Sequence, residues 1–406
     1  MTAPATVAVI AALEAAGGAG CARFVGGCVR NALLKVSVDD IDIATTLTPE
    51  AVIAALGAAK LKAVPTGVEH GTVTAVSQGQ PFEVTTLRRD VETDGRRAVV
   101  AFTTDWAADA ARRDFRLNAL YAEADGTLHD PTGGGLDDLS AGRIVFVGDA
   151  RTRIREDALR ILRFFRFHSW FGKGEPDAAA VAACRELASL TANLSAERVS
   201  KELLKLLAAE DPRAAVRLMA QTGVLGVILP EAQGLGRFER MVAIETEMLF
   251  TEDAELRLAA LMPDDPKVAA EAAARLRLSN ALRDRLVAAL TPQPPIVSWI
   301  SPRRTRQLVY QMGVQAFCDR VTLGWAASER HAATPQWRAL LPTAQSWPRP
   351  TLPLTGDEVV AAGVPRGPLV GEVLREVEAW WVDNDFIDDK LSIVERLKAV
   401  AQGMVY

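Results

Sequence analysis

Residues 39–44 read Asp39-Asp40-Ile41-Asp42-Ile43-Ala44. Side chains alternate between the two faces of a strand, so Ile41 and Ile43 share one face and Asp40 and Asp42 the other. The apolar pair can enter a core. Two carboxylates then stand side by side and repel each other unless a cation lies between them. Mg²⁺ is typically held by one or two carboxylates, with waters and substrate phosphates completing the octahedron. Asp40 and Asp42 are therefore candidate Mg²⁺ ligands for phosphoryl or nucleotidyl transfer, a solvated strand edge being the plain alternative. A second alternating run, Phe82-Glu83-Val84-Thr85-Thr86-Leu87, offers Glu83 as a third carboxylate, or as an ordinary solvated strand acid.

Upstream lies Phe24-Val25-Gly26-Gly27-Cys28-Val29-Arg30-Asn31-Ala32-Leu33-Leu34. A short apolar run meets two glycines, and a helical pattern follows. Glycines at a strand-to-helix turn let backbone N–H groups approach a phosphate. The helix N-terminus adds partial positive charge and Arg30 adds a full one. Gly26, Gly27 and Arg30 thus form a candidate phosphate cradle. Turns use Gly-Gly everywhere; the specific signal is Gly-Gly-x-Val-Arg followed by Asp-x-Asp.

That pairing resembles the class II tRNA nucleotidyltransferases, the CCA-adding enzymes, with bacterial poly(A) polymerases as close relatives. The likeness runs in ordered motifs from about residue 20 to about 210, with a weaker one near the C-terminus. It implies a head similar to the polymerase-β-type nucleotidyltransferase fold. It also implies attack by an RNA 3′-hydroxyl on the α-phosphorus of CTP or ATP, with Mg²⁺ as cofactor and the tRNA 3′ end as partner. Arg112-Arg113-Asp114-Phe115-Arg116-Leu117-Asn118-Ala119 matches a further family motif, in which Arg113 is expected to contact nucleotide phosphate or ribose. Two positions depart from the family pattern: Asn31 stands where an acid usually follows the arginine, and Arg116 stands in place of Thr. A poly(A) polymerase or a partial-CCA enzyme on the same fold is the nearest alternative. A catalytically silent RNA-binding protein is the alternative from another class.

The stretch 152–168, around Arg155-Glu156-Asp157-Ala158-Leu159-Arg160-Ile161-Leu162-Arg163-Phe164-Phe165-Arg166-Phe167, predicts one helix with Leu159, Leu162 and Phe165 on its buried side. Asp157 and Arg160, at i and i+3, are neighbours on one face. They could be an intrahelical salt bridge worth about 0.2–0.5 kcal/mol. They could also read a base. Cytosine and adenine both present an exocyclic amine donor beside a ring-nitrogen acceptor, which a carboxylate beside an arginine complements. Uracil and guanine place a carbonyl where the carboxylate needs a donor. The family's nucleotide-reading pair matches Asp157 and Arg160, and Arg163 and Arg166 continue the basic spiral toward the triphosphate.

The rest of the chain must position these groups. Its 406 residues suggest two to four domains, and 49% apolar with 24% charged residues is ordinary for a globular protein. The expected class is α+β: a nucleotidyltransferase head with a small mixed sheet at 1–146, then a helical neck at 147–210, a body at 211–295 and a tail at 296–406. No apolar run is long enough to span a membrane, and Met1-Thr2-Ala3-Pro4 does not open a signal peptide, so a cytoplasmic location is expected. Cys21, Cys28, Cys184 and Cys318 show no Cys-x-x-Cys spacing and read as reduced thiols. No obligate protein partner is evident. A net charge of −5 argues against a globally basic nucleic-acid binder, so RNA must meet local basic patches. Arg303, Arg304 and Arg306, opening a helix after Pro302, form one such candidate, or a solvated helix end.

Strands are expected at 22–25, 40–45, 71–76 and 81–87, and helices at 5–16, at 27–34 and from a Thr48-Pro49 cap. The charged stretch 88–99 reads as a mobile surface loop; the resemblance associates a flexible loop here with addition of the whole CCA sequence. His129-Asp130 lacks a second His/Asp cluster, which argues against an HD-type phosphohydrolase. Residues 195–207 read as a capped amphipathic helix; its Glu197-Arg198 resembles a family motif, which implies support of the neck rather than chemistry. Breaks are expected at Thr291–Pro295 and Pro348–Pro353. A Gly/Pro loop with Arg366, resembling the C-terminal segment of bacterial members, could approach a nucleic-acid backbone.

Overall fold

The computed structural model describes residues 1–94, 97–248, 250–328, 333–387 and 389–405, with the backbone alone at 90–94, 97–100, 404 and 405. The chain packs as two units, Met1–Ala232 and Gln233–Tyr406, and the stretch expected as a body, 211–295, straddles the boundary between them.

The first unit is built on a mixed seven-stranded sheet. Its strands are β1 (Ala22–Val25), β2 (Asp42–Thr45), β3 (Lys62–Gly67), β4 (Thr72–Ser77), β5 (Gln80–Thr86), β8 (Tyr121–Ala122) and β9 (Leu128–His129), in the order β3-β4-β5-β2-β1-β8-β9. β2 runs antiparallel to β1 and parallel to β5. Alternation does the local work: in β4 and β5, Val73, Ala75, Phe82 and Val84 point into the core while Glu83 faces out. The helix Gly27–Leu34 begins directly after β1. The helix Pro49–Ala58 begins at the predicted cap, with the Thr48 side chain accepting from Ala51 N and Pro49 at its first position.

Three expectations need correction. First, the acidic strand begins at Asp42 rather than Asp40. The ladder with β1 ends at Phe24↔Ile43, next to the Gly26 turn, and the ladder with β5 begins at Asp42↔Glu83, so residues 40 and 41 are outside the pairing on both sides. Second, the stretch 88–99 is not a loop. β6 (Arg88–Asp94) and β7 (Arg97–Phe102) form an antiparallel ribbon, from Arg88↔Phe102 to Asp94↔Arg97. Ala98-Val99-Val100-Ala101-Phe102 supplies the strand-forming half that a reading based on charge passed over; Gly95 and Arg96 lie outside the described residues. Third, the single helix over 152–168 is two, Ala150–Glu156 and Leu159–Phe171. The break falls at Asp157, whose backbone is extended (φ −151°, ψ 106°) and whose Oδ1 accepts Leu159 N at 3.0 Å. An aspartate that bonds the next turn's N–H starts a helix more readily than it continues one. The helix Ala196–Leu207 stands where expected, but Ser195 makes no side-chain cap bond.

The second unit is helical among its described residues, from Leu235–Met248 to Lys390–Val405. Pro266 and Pro302 open helices at their first turns, and residues 291–295 and 348–353 are irregular, as their prolines predict. One core of this unit gathers Val359, Val373, Val377, Trp381, Ile393 and Leu397. Another position buries charge: Arg257, with no exposed surface, donates from Nε to Glu245 Oε2 at 2.6 Å. Removing Glu245 deletes the buried carboxylate on which Arg257 Nε rests. Glu245→Ala should therefore lower stability by about 3–5 kcal/mol, read as a lower urea midpoint of the second unit's unfolding. A midpoint within error of the wild type would mean that Arg257 is compensated elsewhere.

Candidate active site

The parallel register of β2 on β5 sets Asp42 directly beside Glu83. Burial and then the Glu83 charge push the Asp42 carboxyl above the ordinary carboxylate range; Asp40 adds to this and Arg113 opposes it. Asp40 and Glu83 are exposed and Asp42 is half-buried. Among the described residues no side chain or backbone N–H donates to any of the three carboxylates, although neighbouring acids such as Asp109 and Asp114 are fully engaged. Nor do three acidic, His or Cys side chains converge there into a closed cage. Two or three unpaired carboxylates with open positions between them suit a hard divalent cation that keeps its waters and takes phosphate oxygens.

Beside this acidic edge, Gly26 sits at φ 72°, ψ −125°, a backbone region that L-residues avoid. It starts the helix Gly27–Leu34, whose first N–H groups face the same side as the turn. A Cβ on Gly26 would stand 3.6 Å from Arg113 Nη1, and one on Gly27 would stand 3.7 Å from Arg30 Nη2. Two of the four arginines expected at the phosphates, Arg30 and Arg113, therefore lie against the glycine turn.

Each cation is held by a partner that sequence reasoning did not assign. Asp109, 1% exposed, accepts from Arg113 Nε and Nη2 at 3.3 and 3.0 Å, from Arg112 Nε at 2.8 Å and from the Tyr121 hydroxyl at 2.8 Å. Burial alone would raise its carboxyl; Arg113 and Arg112 hold it below the usual range. Asp114 takes Arg163 Nε at 2.7 Å on one oxygen, and Phe115 N and Asn118 Nδ2 on the other. Arg166 lies 2.8 Å from Glu202. Arg30 donates to Asn118 Oδ1 at 2.6 Å and twice to Asn31 Oδ1. Asp114 and Asn118 belong to the Arg-Arg-Asp-Phe-x-x-Asn motif, so a signal was present for those two. Nothing in the local sequence marks Asp109 or Glu202.

The structure does not join the side chains of Asp157 and Arg160, whose one direct link is the backbone bond from Arg160 N to Asp157 O at 3.0 Å. Asp157 Oδ2 accepts from Arg198 Nη2 at 2.7 Å, while Arg160 Nη1 donates to Glu156 Oε2 at 2.6 Å and to Arg153 O at 2.8 Å. The intrahelical salt bridge is thus absent. Arg198, expected to support the neck, holds the aspartate directly. His129 and Asp130 are structural: His129 Nε2 lies 2.7 Å from Glu123 Oε1, and Asp130 accepts the N–H groups of Gly133, Gly134, Gly135 and Leu136. In the second unit, Arg303 donates to Asp383 O, Arg304 Nη1 to Gln307 Oε1 at 3.1 Å, and Arg306 pairs with Asp385 through both of its oxygens.

A mixed sheet carrying unpaired carboxylates beside a glycine turn and a row of arginines defines a nucleotidyltransferase. Residues 22–145 match the family described as the poly A polymerase head domain, and residues 175–235 match a probable RNA- and SrmB-binding site of polymerase A. The mitochondrial CCA tRNA nucleotidyltransferase 1 of Mus musculus is 31% identical over 93% of this chain and 86% of its own length. The CCA-adding enzyme of Latilactobacillus sakei is also 31% identical, over 91% of both chains. The crystal structure of the Bacillus stearothermophilus CCA-adding enzyme in complex with CTP superposes with a TM-score of 0.77 at 29% identity, covering 99% of each chain. The chain belongs to the family of CCA-adding tRNA nucleotidyltransferases.

The raised Asp42 carboxyl sets a sign for stability. A carboxyl that binds its proton more tightly when folded costs stability as pH rises past its unfolded pKa. Asp42→Asn removes that cost. In EDTA at pH 7 the variant should be more stable than the wild type, and the gain should fade below about pH 3, where both states are protonated. A variant less stable than the wild type at pH 7 in EDTA would overturn the reading of Asp42 as an uncompensated charge.

Proposed function

We propose that this protein adds C, C and A to the 3′ end of tRNA from CTP and ATP, releasing pyrophosphate. The observation that carries the reading is the acidic edge: Asp40, Asp42 and Glu83 have no donor among the described residues, beside a glycine turn lined with arginines. The family's reaction uses a divalent metal ion, for which we name Mg²⁺, held by Asp40 and Asp42 with Glu83 as the third catalytic carboxylate. When bound, it lowers the pKa of the attacking 3′-hydroxyl and neutralises charge on the triphosphate. Gly26, Gly27, Arg30, Arg113, Arg163 and Arg166 hold the phosphates. Because Asp109, Asp114 and Glu202 fix Arg113, Arg163 and Arg166, and Asn31 and Asn118 fix Arg30, little reorganisation is needed as charge develops on the leaving pyrophosphate. Asp157 and Arg160 read the base. Arg198 and Glu156 hold them from outside, so each can face a nucleotide instead of the other. The four-part division into head, neck, body and tail is kept, with Arg303, Arg304 and Arg306 contacting RNA phosphates; Arg303 and Arg306 would share their present partners with the RNA. No helix among the described residues is long and apolar enough to cross a membrane.

The test of the reaction is incorporation of labelled CTP and ATP, separately, into tRNA lacking CCA, tRNA lacking only the final A, and generic RNA. Full CCA addition requires C and then A on the first substrate; a ladder of A on generic RNA would make the protein a poly(A) polymerase. Asp40→Ala and Asp42→Ala should each lose at least about a hundredfold in rate, since even residues behind metal ligands are worth 10–100-fold. Near-wild-type turnover in either would remove the metal assignment.

The base-reading pair makes a separate prediction. Asp157→Ala removes the group that repels a carbonyl, so discrimination against UTP and GTP should relax by about 1–3 kcal/mol. Arg160→Ala should hurt CTP and ATP together. Arg198→Ala frees the aspartate without deleting it and should fall between these, with weaker selection and a smaller loss of rate. The measurement is kcat/KM for all four nucleotides on tRNA ending before CCA. Equal losses for every nucleotide in all three variants would make these residues a structural network only.

A further inference from the structure

The helices Gly27–Leu34, Leu159–Phe171 and Ala196–Leu207 of the first unit border a cavity of about 290 Å³. Its polar lining is Arg30, Asn31, Arg166 and Lys205, and Trp170 and Phe171 contribute aromatic wall. The cavity adjoins the glycine turn, since Arg30 Nη2 lies over Gly27. The Arg30 guanidinium is immobilised, with Nη1 on Asn118 Oδ1, Nε and Nη2 on Asn31 Oδ1 at 3.1 and 2.9 Å, and the Phe171 ring 4.2 Å away. All of these partners are neutral. Arg166 has Glu202 and Arg163 has Asp114, but no carboxylate among the described residues forms an ion pair with Arg30 or Lys205.

Position 31 is where the family pattern carries an acid. An aspartate accepting the same two bonds from Arg30 would be its counter-ion; asparagine supplies the acceptor without the charge. The consequence is visible in Arg30 itself, which burial and then the Arg166 charge bring down to about 10, with Asp114 only partly offsetting them. A buried cation with neutral partners gains most from an arriving anion.

We propose that Asn31, by leaving the Arg30 charge uncompensated, makes this cavity bind an oligophosphate more tightly than an acid at the same position would allow. The oligophosphate is either the β- and γ-phosphates of the incoming nucleotide or the pyrophosphate that leaves. The inference rests on the nucleotidyltransferase reading of the site. Asn31 acts as a positioning residue through Arg30, and Lys205 adds charge at the rim. The aromatic wall limits water around the cations and strengthens their grip.

The experiment compares wild type, Asn31→Asp and Asn31→Ala. It measures kcat and KM for CTP and ATP, inhibition by inorganic pyrophosphate, and binding of tripolyphosphate in EDTA by calorimetry. Asn31→Ala serves as the control: it loses the bonds to Arg30 and the one from Asn31 Nδ2 to Ser37 O, but adds no charge. Asn31→Asp should weaken tripolyphosphate binding by about three- to tenfold, within the range of one partly screened ion pair. KM or the pyrophosphate inhibition constant should rise with it, kcat should change little, and the salt dependence should flatten. A rise in KM alone assigns the cavity to the substrate, and a rise in the inhibition constant alone assigns it to the product. The proposal fails if Asn31→Asp leaves every phosphate affinity unchanged, or if Asn31→Ala lowers them equally, since the residue would then act by geometry rather than by charge. It also fails if only tRNA affinity falls, which would make the cavity an RNA-backbone site. If the wild type incorporates no nucleotide yet loses tripolyphosphate affinity on Asn31→Asp, the reading of function falls and the inference about the cavity stands.

Discussion

Everything at the site follows from one unfavourable contact. The parallel pairing of β2 with β5 sets Asp42 against Glu83, and the chain reaches Asp42 through Asp40. Three negative groups share a small edge, and no donor among the described residues reaches them. A stability-driven design would have paired or removed them. Their persistence beside a glycine turn is the physical feature on which the proposed metal and phosphate site rests.

The positive side of the site is organised differently. Its arginines are not loose charges waiting in solvent. Arg113, Arg163 and Arg166 each rest on an acid that is largely out of water, namely Asp109, Asp114 and Glu202. These pairs hold long side chains in single orientations before a ligand arrives, which reduces the entropy lost on binding. The Asp114–Arg163 pair also ties the sheet to the helix Leu159–Phe171: Asp114 sits ahead of β8 in the chain, while Arg163 is just over one turn into that helix. The aromatic cluster of Phe115, Phe146, Phe164 and Phe167 packs across the same junction. The strand side that carries Asp114 and the helix that carries Arg160, Arg163 and Arg166 are thus joined through one aromatic core.

The helical second unit uses charge for structure. Arg285 joins Asp253, Glu255 and Asp319, and Arg257 is sealed against Glu245. Arg306 is likewise bound to Asp385, and Arg303 to the Asp383 carbonyl. A basic helix start that looks free in one dimension can already be spent on neighbours from a distant part of the chain.

The sequence by itself determined the class of fold, four of the nine strands among the described residues, several helix starts, and the motifs that chemistry needs. These rest on short-range physics: alternation in β4 and β5, the glycine turn at Gly26, and the cap at Thr48 with Pro49. Such signals need only neighbouring residues, so they can be read from neighbours alone. What a residue touches across the fold could not be read that way. Asp157 and Arg160, three apart in sequence, are separated by a helix break and held by Arg198 and Glu156. The charged stretch 88–99 becomes a ribbon because its second half pairs with its first. Tertiary structure also decided that Asn118, far along the chain, accepts from Arg30. Ion pairing and desolvation depend on distance through space and on exclusion of water, and both are set only once the whole chain has packed.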